Sequence, residues 1–312
     1  MARFAPAVLV AALLAATVLA FVYTESLKLT PSPILGTRVL PKVISPVCDC
    51  PTDSAVIAFR LREADVLGVE IIDRDGDVVR HLVRPDRVAR GAVSFAWDGR
   101  ADVGTTLPEG QYRPRVKLQR QRRTIVLPNP IRIDATPPVV AMTRLDPRVF
   151  SPDGDARSDR VVVGYRVDES ARVALYVGGK RAVLKKGRST EGTIDWFGRS
   201  GGEPLPQGPY TLRLGAVDIA GNEGRRTRPK VVVIRYVALG RASIVTAPGG
   251  RFAVLVLTDA ARVTWKLGAR SGIARPGTLR LRAPLQPGRF TLTVTANGRS
   301  ARAAVFVRSP AP

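Results

Sequence analysis

"SPVCDCPTDSAVIAFRL" (45–61) and "SPDGDARSDRVVVGYRV" (151–167) stand 106 residues apart and align without a gap. Ser45-Pro46 falls on Ser151-Pro152, Asp49 on Asp155, Asp53 on Asp159, Phe59-Arg60 on Tyr165-Arg166, and Glu63 on Glu169. The correspondence continues. Trp97-x-Gly99-Arg100 returns as Trp196-x-Gly198-Arg199, and "LPEGQY" (107–112) returns as "LPQGPY" (205–210). Matched features in one order define a duplicated module of about a hundred residues, an ordinary domain size.

Each copy opens with an Asp- and Gly-bearing turn and runs into an alternating apolar strand. Similar runs recur along the chain: "AVIAFRL", "VVVGYRV", "YTLRLGAV", "FAVLVLT" and "FTLTVTA". Period-two alternation between closely spaced turn signals predicts antiparallel sandwiches, so the fold class is all-β. A weaker third copy is marked by "LQPGRFTLTV" (285–294), with Trp265 before it. The expected organisation is three tandem Ig-like sandwiches at 44–135, 136–235 and 236–312. Residues 24–43, with three prolines and little pattern, read as a linker. Trp97, Tyr112, Trp196 and Tyr210 are assigned to the sandwich cores.

Ahead of these modules, Ala5 to Tyr23 is apolar and free of charge. The expectation is a transmembrane signal anchor over 1–23, with the chain single-pass in the cell membrane and its bulk outside. Cleavage near Val18-Leu19-Ala20 and secretion is the alternative.

The 312-residue chain carries 49 basic and 26 acidic residues, a net charge of +23, and all but 8 of its basic residues are arginine. Such a surface attracts polyanions, and guanidinium groups pair bidentately with carboxylate and phosphate. "RPRVKLQRQRR" (113–123) concentrates this charge. Alternation places Arg113, Arg115 and Lys117 on one strand face, with Arg120, Arg122 and Arg123 following. The candidate ligand is an anionic cell-wall polymer or other acidic envelope partner. An ordinary solvated face is the alternative. Nucleic acid is not expected, because aromatics do not interleave with the arginines.

Asp153, Asp155 and Asp159 occupy positions one, three and seven of their turn and make a calcium candidate. Arg157 at position five and the lack of a Glu at twelve favour the other reading, carboxylates capping the turn's backbone N–H groups. No other cofactor is expected. Cys48 and Cys50, the only cysteines, fall on Gly154 and Ala156 of the second copy. In an exported chain they read as a local disulfide staple, with thiol chemistry or an intermolecular bridge as alternatives. One histidine, His81, and the lack of nucleophile-elbow, P-loop, zincin or dinucleotide motifs argue against an enzyme.

"VEIID" (69–73), "GDVVRHL" (76–82) and "FAWDGRADVGTTLPEGQYRPRVKL" (95–118) resemble the FlgD-type Ig-like module of the flagellar hook-capping protein. "FSPDGDARSD" (150–159) and "AVDIAGNEG" (216–224) are similar to the opening and ending of Ig-like modules in bacterial surface proteins. The resemblance implies an Ig-like fold and an envelope location, not flagellar assembly. The expected function is non-catalytic: Ig-like modules presented for structural, adhesion or scaffolding contacts. An accessory substrate-binding or assembly subunit of an envelope enzyme or secretion machine is the alternative.

Overall fold

The computed structural model describes the backbone of residues 5–28 and 31–309 and the side chains of 8–24 and 31–309. After a helix at Ala5–Lys28 every extended element is a strand. The chain divides into two compact units, Met1–Ala135 and Thr136–Pro312.

In the first unit a three-stranded antiparallel sheet runs in the order Ile34–Leu40, Ala55–Leu61, Gly91–Trp97. The facing sheet runs Val43–Ile44, Ile131–Ile133, Gly110–Leu118, Asp65–Ile72, Val78–Val88, with Arg123–Val126 also paired to Gly110–Leu118. Their inner faces close over Ile57, Phe59, Leu67, Ile71, Trp97 and Val116. In Ala55–Leu61 burial alternates strictly, as the sequence pattern requires of a half-buried strand.

The second unit contains the same plan twice. Strands Val140–Asp146, Val161–Val167 and Glu191–Trp196 face a sheet ordered Val149–Phe150, Lys230–Ile234, Gly208–Val217, Arg172–Val177, Lys180–Leu184. Strands Ala238–Leu239, Arg251–Leu257 and Gly277–Arg282 face one ordered Ser243–Thr246, Arg299–Val307, Gly288–Ala296, Val263–Leu267, Arg270–Ala274. Each pair of sheets encloses its own apolar cluster. All three copies of the plan set one parallel pair at the sheet edge, between a short early strand and the last strand: Val43–Ile44 with Ile131–Ile133, Val149–Phe150 with Lys230–Ile234, and Ser243–Thr246 with Arg299–Val307.

The repeated motifs meet in space. Gly99 and Gly198 have φ of +72° and +67°, and each lies against the proline of its Ser-Pro turn, Pro46 and Pro152. The indole N–H of Trp97 donates to Arg100 O at 3.0 Å, and that of Trp196 to Arg199 O at 2.8 Å. Tyr112 Oη donates to Pro108 O at 2.8 Å and Tyr210 Oη to Pro206 O at 2.7 Å, so the L-P-x-G-x-Y step is a hydroxyl returning to the carbonyl four residues back. Each tyrosine stands edge-on to its tryptophan, at 5.4 Å and 6.2 Å. Trp97 and Trp196 are buried, Tyr112 is nearly so, and Tyr210 is half-buried against its cluster.

Two expectations give way. The linker reading of 24–43 fails from residue 34 onward: Ile34–Leu40 pairs with Ala55–Leu61, and Ile34 and Val39 are buried. A break in register between Leu35 and Arg38, around Gly36 at φ +59°, interrupts the alternation and hides the strand. The membrane expectation is overturned too. No helix among the described residues is long and apolar enough to cross a membrane. A single-pass anchor, and with it the membrane as a partner, is withdrawn.

Candidate functional site

The Ser-Pro turn of the second plan carries the acidic candidates, and the structure divides them. Asp159 is occupied with its own turn: Gly154 N donates to Oδ1 at 2.7 Å and Ala156 N to Oδ2 at 2.8 Å. That restrains a backbone with positive φ at Gly154, Ala156 and Ser158. Asp153 and Asp155 instead converge with Asp259, from the turn after strand Arg251–Leu257, with one oxygen from each within 4.8 Å of the others. Asn297 Nδ2 donates to Asp153 Oδ2 at 3.1 Å and to Asp155 Oδ2 at 2.9 Å. Ser151 Oγ donates to Asp153 Oδ2 at 3.0 Å. Asp153 Oδ1 and both Asp259 oxygens are buried without a hydrogen-bond partner among the described residues. Burial pushes the Asp259 carboxyl up, and the charges of Asp153 and Asp155 push the same way. Asp259 is invisible to a local reading because it lies about a hundred residues beyond the turn.

The equivalent turn of the first plan holds the cysteines. Their Sγ atoms are 1.96 Å apart and their Cα atoms 5.3 Å apart. Asp53 N donates to Cys50 O at 3.1 Å, closing the turn.

The basic tract behaves differently from its sequence. Arg113, Arg115 and Lys117 do share the outward face of Gly110–Leu118, since Tyr112, Val116 and Leu118 are buried between them. The strand is not an edge: Asp65–Ile72 pairs on one side, and Ile131–Ile133 and Arg123–Val126 on the other. Cross-strand from it, the nearly buried Glu70 takes up two of the charges. Arg115 Nη2 donates to Glu70 Oε2 and Lys117 Nζ to Oε1, each at 2.7 Å. Burial alone would raise the Glu70 carboxyl, but the bonds and charges of Lys117 and Arg115 outweigh it and hold it below the usual range. Arg113, Arg120, Arg122 and Arg123 remain exposed, and no guanidinium among them has a carboxylate partner among the described residues, although Arg120 N donates to Asp65 Oδ1 at 2.8 Å. His81 is tied to Asp102, whose Oδ2 lies 2.6 Å from Nδ1. His81 N also donates to Asp102 Oδ1 at 2.9 Å, and these bonds lower the Asp102 carboxyl.

Residues 52–122 match the FlgD Ig-like domain family. No curated protein matches. Among solved structures, fibronectin(III)-like modules of Clostridium thermocellum CbhA share 13% identity over 64% of this chain and 93% of theirs, with a TM-score of 0.33. A structure of a 1.5-MDa bacterial ice-binding adhesin shares 11% over 90% and 99%, at 0.28. The ICAM-5 D1–D4 ectodomain fragment shares 16% over 89% and 78%, at 0.26. Likenesses this remote carry no functional argument.

Proposed function

We propose, from a chain whose residues 52–122 form a FlgD-type Ig-like domain, that the protein is an exported, non-catalytic envelope element. It presents three Ig-like sandwiches for structural or adhesive contact, and its unpaired arginines hold anionic cell-wall polymer. The observation that carries the reading is the threefold repetition of one sheet plan, each copy closed over its own apolar cluster with its arginines outside that cluster. An element of that kind works through its surface. Among the described residues the exposed cations exceed the acids available to neutralise them, and excess positive charge attracts polyanions.

Export also supports an oxidised Cys48–Cys50 staple, which stiffens the first Ser-Pro turn where the second plan uses Gly154 and Ala156. Intact mass with thiol labelling tests it, and two labelled thiols in the native chain would remove the staple.

The main test is co-sedimentation of the full chain with purified anionic cell-wall polymer across a salt series. Retention that falls steeply with ionic strength is expected. Absent or salt-indifferent retention refutes polymer contact, and specific capture of an envelope enzyme in its place would favour the accessory-subunit reading.

A further inference from the structure

The third tryptophan is placed unlike the other two. Trp97 and Trp196 end the edge strands Gly91–Trp97 and Glu191–Trp196 and are buried, with their N–H groups bonded to backbone. The corresponding edge strand of the third plan, Gly277–Arg282, ends in arginine. Trp265 lies instead in Val263–Leu267, half-buried, and its indole N–H has no acceptor among the described residues. It lies over Gly272 of the neighbouring strand, where a Cβ would come within 3.0 Å of the ring, so the missing side chain makes room for the indole.

Four arginines line the same cleft as that ring. Arg251 and Arg282 are directly opposite across an antiparallel pair, and Arg280 faces Ala253 on the same side. Arg270 reaches over from the facing sheet, its Nη1 3.4 Å from Arg282 O. None has a carboxylate partner among the described residues. Like charges directly opposite in a sheet repel, so the arrangement costs stability until an anion lies between them. With Trp265 these arginines border a cleft of about 710 Å³ at the open edge between the two sheets, inside the roughly 300–1,000 Å³ span of small-ligand sites.

We infer that this cleft is a binding site for an acidic glycan. The guanidinium groups take the carboxylate or phosphate, the indole face takes the apolar face of the sugar ring, and the indole N–H donates to a ring hydroxyl. The inference rests on the proposed polymer contact and gives it an address in the third sandwich. Arginines that only guard an exposed edge against pairing would need charge alone, with no open indole among them.

Trp265 is the accessible tryptophan, which gives the cleft its own signal. In the full chain, iodide is expected to quench fluorescence well and caesium poorly, since the arginines concentrate the anion. Trp265→Phe should abolish the difference. Addition of an oligogalacturonate (carboxylate source) or a poly(glycerol phosphate) fragment (phosphate source) should protect Trp265 from iodide, and neutral dextran should not. The charged fragment that protects at lower concentration identifies the source. Arg280→Ser with Arg282→Ser should weaken the protecting ligand by at least about tenfold, the order expected for losing charge-assisted bonds. Arg144→Ser with Arg166→Ser, exposed, outside the cleft and each already paired to a carboxylate, should leave it unchanged. Equal quenching by both ions, or protection by dextran, overturns the site. Polymer binding that survives the cleft changes and is lost with the triple change Arg120→Ser, Arg122→Ser and Arg123→Ser overturns the cleft and spares the polymer reading. Binding of neither polymer nor fragment overturns both.

Discussion

Gly198 is packed so closely on Pro152 that a Cβ there would stand 2.7 Å from the proline Cγ and 3.2 Å from Ile234 Cδ1. This contact joins the two halves of the repeat, the Ser-Pro turn and the W-x-G-R turn, and it recurs between Gly99 and Pro46. Gly198→Ala meets both a left-handed φ and a filled space, and we expect a loss of about 2–4 kcal/mol. Gly201→Ala is the control: φ is +62° but nothing lies within 4 Å, so only about 1 kcal/mol is expected. Urea denaturation of the full chain compares them, and equal losses would mean the proline contact is immaterial.

The returning hydroxyls of Tyr112 and Tyr210 should each contribute as ordinary neutral hydrogen bonds. Tyr112→Phe, at the more buried site, is expected to cost about 1–1.5 kcal/mol, and the half-buried Tyr210→Phe about 0.5–1 kcal/mol. Parallel denaturation curves with unchanged slopes would establish the order, and a larger loss at Tyr210 would contradict it.

Glu70 has a folded-state pKa below its unfolded value. Its contribution is therefore complete above the ordinary glutamate pKa of about 4.3 and drains away as pH falls through the lower folded value. Glu70→Gln should cost about 2–3 kcal/mol at neutral pH, since it leaves Arg115 and Lys117 facing an amide. The gap should narrow below pH 4. Thermal midpoints of both proteins from pH 3 to 7 test this, and a gap independent of pH would assign the loss to packing.

Asp259 has the opposite sign. Its folded pKa is raised, so its charged form costs stability above that value, and the cost disappears as pH falls through it. With chelator present, Asp259→Asn should stabilise the chain by about 1 kcal/mol at pH 7 and progressively less toward pH 4. Calcium should raise the midpoint of the parent chain and leave the variant unchanged, because the buried oxygens of Asp259 and Asp153 are the ones lacking donors. Equal midpoints with calcium and with chelator would remove calcium from this turn.

Local pattern carried the strands, the duplicated motifs and their Ig-like character, because alternation and turn chemistry act over a few residues. What it could not carry was pairing at long range. Glu70 meets Arg115 and Lys117 across 45 and 47 residues, and without that contact the tract reads as free charge. Asp259 replaces Asp159 in the acidic group for the same reason. The strand Ile34–Leu40 was lost behind prolines and a bulge. In the third plan the pairing persists although the tryptophan at its edge strand does not, since sheet order depends on which faces are apolar more than on any one ring. The apolar N-terminal run shows the reverse weakness: local hydropathy suggested a span, yet no helix among the described residues is long and apolar enough to cross a membrane.

The parallel edge pairs give each sandwich a property that its interior does not. The short early strand and the last strand run side by side in the same direction. A tug on the incoming and outgoing chain therefore slides them lengthwise. Their hydrogen bonds are then strained together instead of opening one by one like a zip. Four residues are paired in this way between Ser243–Thr246 and Arg299–Val307, against two in each of the others. Under tension, the last sandwich should be the one that holds longest.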